Sequence, residues 1–147
     1  MEYKGAEMTE KLFELEIDAE LGKLPEVMAF VDSHLEDVFC PLKIQMQVDV
    51  AVEEAFVNIA SYAYAPGSGK AVIRLEITDE PVALAVTFID QGVPFDPLAK
   101  EDPDLSLSAE ERAIGGLGIY MIKKSMDNVS YEYKNGSNVF KLMKNLK

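Results

Sequence analysis

Apolar and polar positions alternate along this chain with two different periods. From Val48 to Tyr64 (VDVAVEEAFVNIASYAY) the apolar residues Val48, Ala51, Val52, Ala55, Ile59 and Tyr62 recur at helical spacing, which predicts a helix with one face on a core. A second helix is predicted over Leu24–Phe39, with Pro25 at an early position and Val27, Phe30, Val31, Leu35 and Val38 on its inner face. Pro41 breaks the chain between the two. A third helix is expected over Ile119–Asp127 through Ile119, Ile122 and Met126.

Period-two alternation marks the strands. Lys11–Ile17 sets Phe13, Leu15 and Ile17 against Leu12, Glu14 and Glu16, as in an edge strand. Lys70–Thr78 puts Ala71, Ile73, Leu75 and Ile77 on one face and Lys70, Arg74 and Glu76 on the other, so its sheet is covered on one side only. In Val82–Asp90, Val82, Leu84, Val86 and Phe88 share a face and Asp90 falls in phase with them. Asn135-Gly136 carries a type I′ hairpin signal. Pairing Lys134 with Ser137 across it sets Val129, Tyr131 and Tyr133 opposite Leu142, Phe140 and Asn138 on the inner face. These elements sum to an α+β fold, a two-layer α/β sandwich whose mixed, mostly antiparallel sheet carries helices on one face. No repeat, low-complexity tract or linker divides residues 1–147, so one domain is expected.

Charge and cysteine usage narrow the partners. A formal net charge of −12 argues against nucleic-acid binding, which needs clustered Lys and Arg. Cys40 is the only cysteine, so no intrachain disulfide or thiolate cluster can form; it reads as a small buried hydrophobe of a reducing compartment. No apolar run reaches the roughly 18 residues of a membrane span, and the polar N-terminus is unlike a signal peptide, so a cytoplasmic protein is expected. The only histidine, His34, lies in the first helix and is expected at the surface or as a cap.

Candidate chemistry sits on a few polar residues in apolar settings. Glu54 and Asn58, one turn apart, present a carboxylate and an amide roughly 5–6 Å apart at Cβ, a pairing suited to a proton acceptor beside a hard-metal ligand. Asp90 ends a core-facing register, and a buried charge there needs a hydrogen-bonding partner, a backbone amide being the plainest. Gly92 lets the chain turn or approach a ligand closely. Residues 97–114 are acidic and Pro-broken, a long loop of the kind that forms lids. Gly115-Gly116-Leu117-Gly118 then opens a helix whose N–H groups could receive an anion, or simply supplies a flexible first turn. Asn138 sits on the inner side of the hairpin and needs a partner. The GSGK at 67–70 is not a phosphate loop: that pattern needs Gly at 64 and Ser or Thr at 71, where Tyr64 and Ala71 stand.

Three pieces therefore stand in order: Glu54-Ala-Phe-Val-Asn58 on a helix, a strand ending Asp90-Gln91-Gly92, and a lid leading to Gly115-Gly116-Leu117-Gly118. Together they resemble the Bergerat-type ATP-binding fold of the gyrase, Hsp90, histidine-kinase and MutL superfamily. Within it, EEAFVNIASYAY, DQGVPFDP and IGGLGIYMIKKSMDNVSY followed by the hairpin are most similar to the bacterial anti-sigma-factor serine/threonine kinases, the RsbW-like group. The resemblance covers nearly the whole chain.

That resemblance implies specific roles. Asn58 would hold Mg²⁺, Glu54 would be the general base, and Asp90 would accept a hydrogen bond from the adenine amino group. Gly92 and Pro94 would lie against the base. Gly115, Gly116, Leu117 and Gly118 would close over the phosphates. Arg112 is a candidate phosphate contact or a solvated lid charge, whereas Lys123 and Lys124 read as solvated. Asn138 would touch the nucleotide where a hydroxyl residue is common in the family, and Tyr62 stands where some members have histidine. Gly92-Val93-Pro94 lacks a second glycine found in many members. The implied protein binds ATP and Mg²⁺, phosphorylates a small antagonist protein, sequesters a sigma factor and forms a homodimer. Two rivals stay open: a binding module without turnover, and a detached histidine-kinase ATPase domain, for which FVDSHLEDVF lacks the usual His-Glu pairing.

Overall fold

A computed structural model of the chain describes residues 10–79, 81–99 and 117–147. Five strands form one sheet: β1 (Glu10–Asp18), β2 (Lys70–Asp79), β3 (Val82–Asp90), β4 (Asn128–Lys134) and β5 (Ser137–Asn145), in the spatial order β1-β2-β3-β5-β4. Every pairing is antiparallel, so the sheet expected to be mixed is antiparallel throughout its described strands. Among the described strands β1 is an edge that pairs with β2, and the wet face there carries cross-strand ion pairs Arg74–Glu14 and Lys70–Asp18, each 2.6 Å. Exposed pairs of this kind help fix register and add little stability.

The hairpin register follows the sequence expectation. Lys134 faces Ser137 and Tyr133 faces Asn138, with Asn135 at φ 54° and Gly136 at φ 82°, the two positive dihedrals a type I′ turn requires. Ile73, Leu75, Val86, Phe88 and Leu142 build the inner face, and α1 (Leu24–Asp37), α2 (Leu42–Asn58) and α3 (Leu117–Ser125) cover it. Within the helical layer α2 packs against both α1 and α3.

Several expectations about the helices change. Helix α2 begins at Leu42, directly after Pro41, because its first two turns direct Leu42 and Met46 to solvent and so break the inward periodicity. Phe56, not singled out by that periodicity, is fully buried beside Val48, Ala51, Val52 and Ala55. Beyond Asn58 the helix widens into a π-turn over Ile59–Ala63. The i→i+5 pattern delays rotation about the axis, so Tyr62 leaves the core face and is 64% exposed. His34 is half-buried at the edge of the helical layer. It stacks on Phe13 with ring centroids 3.8 Å apart and meets Phe30 edge-on at 5.1 Å.

Helix α1 ends in a Schellman cap, with Cys40 N–H donating to Leu35 O at 3.1 Å and Phe39 N–H to Glu36 O at 3.0 Å. The left-handed residue is Phe39 (φ 57°), where glycine is the usual occupant. The Cys40 thiol beside it is partly buried, and burial followed by the nearby Asp49 charge raises its pKa, which suits an inert thiol.

Between α1 and α2 two carboxyls meet. Asp32 Oδ1 and Asp49 Oδ1 are both buried without a donor, and a proton on Asp49 supplies one. Burial first, then the hydrogen bond and charge of Asp32 and the charges of Glu36 and Glu53, push Asp49 up to about 7. A raised folded-state pKa stabilises fully below the unfolded value near 4 and is lost as pH rises toward 7. Asp49→Asn should therefore gain about 1–2 kcal/mol over wild type at pH 7.5, after discounting for screening of a partly solvated carboxyl, and almost nothing at pH 4. Urea unfolding at the two pH values checks this; an equal gain at both would remove the proton from the account.

Candidate functional site

A cavity of about 460 Å³ opens between the C-terminal half of α2 with its π-turn, the start of α3, and the inner ends of β3, β4 and β5. Ile59, Ala63, Val93, Phe95 and Phe140 make its walls mostly apolar, and Glu54, Asn58, Asp90 and Asn138 converge on it. Such a setting suits a flat, partly apolar ligand oriented by a few polar groups.

Asp90 anchors one end. Its Oδ1 accepts from the Gly92 N–H at 2.9 Å and from Asn138 Nδ2 at 3.0 Å, so the plain partners anticipated for a buried carboxylate are present. Both bonds fall on Oδ1. Oδ2 has no donor in these bonds, so a cavity ligand with an N–H can supply one. Asn138, 6% exposed, holds the loop that follows Asp90. Its Nδ2 also donates to Val93 O at 2.9 Å, while its Oδ1 accepts from Phe95 N–H at 3.1 Å and from the Tyr131 hydroxyl. A serine or threonine hydroxyl has one proton and could not donate to Asp90 and Val93 together, which is what asparagine adds at this position. Burial raises the Tyr131 pKa, keeping its hydroxyl protonated as the donor in this network.

Gly92 passes so close to the π-turn that a Cβ would lie 2.1 Å from Ala63 O, and the same carbonyl accepts from Val93 N–H at 3.0 Å. The π-turn thus ends on the loop after β3, and Tyr64 reinforces the join by accepting from Gln91 N–H at 2.8 Å. At the other end of the cavity Glu54 and Asn58 line one side of α2, and Gly118 makes room for the acid. A Cβ there would sit 2.7 Å from Glu54 Oε1. Pro94 lines the loop side.

Comparison with known proteins places this arrangement. The family profile of the histidine kinase-like ATPase domain matches residues 17–144. The chain belongs to that family. Within it, the chain is 29% identical over 97 residues to the serine/threonine-protein kinase BtrW of Bordetella bronchiseptica, covering 65% of this chain and 67% of BtrW. It is 32% identical over 94 residues to the serine-protein kinase RsbW of Listeria monocytogenes, covering 61% of this chain and 59% of that protein. In fold it is similar to the crystal structure of the RsbU and RsbW domains of Rv1364c from Mycobacterium tuberculosis, with a TM-score of 0.66 at 15% identity over 92% of this chain and 32% of that one.

For a histidine kinase-like ATPase domain, the structure brings Glu54, Asn58, Asp90, Pro94, Gly118 and Asn138 to one cavity, with Gly92 shaping its loop. Leu117 is the first residue of α3. Arg112, Gly115 and Gly116 lie outside the described residues. Lys124 is exposed over the Tyr120 ring, 5.7 Å from its centroid. Sequence reasoning missed the apolar walls Ile59, Ala63, Val93 and Phe95 and the hydroxyl of Tyr131. The signals present were apolar residues in the loop after Asp-x-Gly and a tyrosine two residues from Asn138 across the hairpin. Among the described residues no helix is long and apolar enough to cross a membrane.

Proposed function

We propose that the chain is a cytoplasmic, ATP·Mg²⁺-dependent serine/threonine protein kinase that acts as an anti-sigma factor. It would phosphorylate a small antagonist protein and sequester a sigma factor in its other state, working as a homodimer. The observation that carries this reading is one cavity lined by both Asp90 and the Glu54–Asn58 pair. The similarity to BtrW, a serine/threonine-protein kinase, and to RsbW, a serine-protein kinase, supports a protein kinase acting on serine or threonine.

The residues suit the group each is asked to hold. Asp90 Oδ2 would accept the adenine amino proton while the apolar walls cover the ring. Asn58 offers a hard amide oxygen on the cavity wall, and no group of three or more acidic, His or Cys ligands is found among the described residues. A single protein oxygen suits Mg²⁺, which keeps waters and phosphate oxygens as its other ligands. The ion would neutralise phosphate charge during transfer. Glu54 would take the proton from the attacking hydroxyl as its oxygen bonds to the γ-phosphorus and the bond to the β-phosphate oxygen breaks, releasing ADP. The glycines Gly115, Gly116 and Gly118 would let the segment close, with Arg112 near the phosphates.

His34, the substrate residue a histidine-kinase reading would need, is stacked on Phe13, which disfavours that rival. The test is incubation with γ-labelled ATP, Mg²⁺ and a candidate small antagonist protein from the same organism. Label stable to acid on Ser or Thr of the antagonist is the expected result. ATP binding with no transfer to it would favour a binding module.

A further inference from the structure

One apolar row of α2 faces solvent. Leu42 is 70% exposed, Met46 59% and Val50 36%, at i, i+4 and i+8, and Phe39 just before them is 91% exposed. The same i+4 row continues to Glu54 and Asn58, and exposure falls steadily toward the cavity they line. Phe39 is also the residue held at φ 57°, where glycine would relieve strain. Neither strained backbone nor an exposed ring helps this chain fold, so both point to something that covers them.

Resting on the kinase reading, we infer that the row Phe39–Leu42–Met46–Val50 is the docking surface for the protein substrate and delivers its hydroxyl to Glu54. The occupant is an aliphatic segment flanked by Lys or Arg. From residue 36 to 54, leaving aside the Asp49 paired with Asp32, the chain has Glu36, Asp37, Glu53 and Glu54 against Lys43 alone, a net of 1 − 4 = −3. Glu36, Asp37 and Glu53 are exposed around the row. Basic flanks meet these acids, whereas a second copy would bring the same acids onto them, on a chain of net charge −12. At 1.5 Å rise per residue, Leu42 lies about 18 Å along α2 from Glu54, about three helical turns of partner.

Two variants test this with a purified candidate antagonist protein from the same organism as probe. The double variant Leu42→Ser/Met46→Ser should raise KM for the antagonist at least about tenfold and leave kcat at saturation and ATP affinity unchanged. Phe39→Gly should raise KM too while raising Tm by about 2–4 °C, a combination a merely structural role would not produce. Unchanged KM in both overturns the proposal, as does a wild-type dimer that the double variant converts to monomer. If wild type transfers no phosphate, the kinase reading falls and direct calorimetric titration decides the row. Antagonist binding weakened about tenfold by the double variant supports it; equal binding, or none to wild type, overturns it.

Discussion

Glu54→Gln should cut phosphate transfer by about 10²–10⁴-fold while nucleotide affinity and Tm stay near wild type. Glutamine keeps the shape of the side chain and loses only its ability to take a proton. The fold should tolerate the change because Glu54 lines an open cavity and is not among the buried groups lacking a partner. Asn58→Ala should fail in a different way. Without the amide oxygen, ATP affinity measured with Mg²⁺ should drop to the value measured in EDTA. Glu54 and Asn58 share one helix one turn apart, so equal loss of binding and of Tm in both variants would make that turn a packing element only. Transfer that survives Glu54→Gln would remove Glu54 as the base.

Much of the fold was legible because one sheet face is wet. Wherever a strand has a dry side and a wet side, alternation names the register, as in Ala71–Ile77 and in the hairpin that sets Asn138 inward. The same logic exposed Asp90, a carboxylate in an apolar phase. It failed where geometry departs from the regular period. The π-turn moves Tyr62 off the core, and nothing in IASYA distinguishes five-residue hydrogen bonding from four. The outward row of α2 hid the first turns of that helix for the same reason, since periodicity marks what is buried. Asn138 was legible as a polar residue needing a partner, but not as the side chain that ties Asp90 to the loop at Val93 and Phe95. That role depends on a pairing 48 residues apart in the chain.

Gly92, packed against the π-turn, and Gly118, packed against Glu54, should respond to alanine in opposite ways. At Gly92 the added methyl would meet backbone, 2.1 Å from Ala63 O and 2.6 Å from Ala63 C, and neither can swing aside. The loop must retreat, losing the Val93 N–H bond to Ala63 O and loosening the Gly92 N–H from Asp90. Gly92→Ala should therefore destabilise by about 2–4 kcal/mol, lower Tm by about 4–12 °C and weaken ATP binding together with it. At Gly118 the methyl would meet only the free end of a side chain, Glu54 Oε1 at 2.7 Å. That end can move, and alanine favours a helix over glycine by up to about 1 kcal/mol, so Tm should hold or rise. The carboxylate, however, is pushed from its place, and a displacement near 1 Å can cost about 10²-fold in transfer. Thermal melts, ATP titration and the transfer assay on both variants separate the outcomes. If Gly118→Ala transfers phosphate at the wild-type rate, then Glu54 does not act from where it rests against Gly118. If Gly92→Ala melts with wild type, the close approach of the Asp-x-Gly loop to the π-turn is not what shapes the cavity beside Asp90.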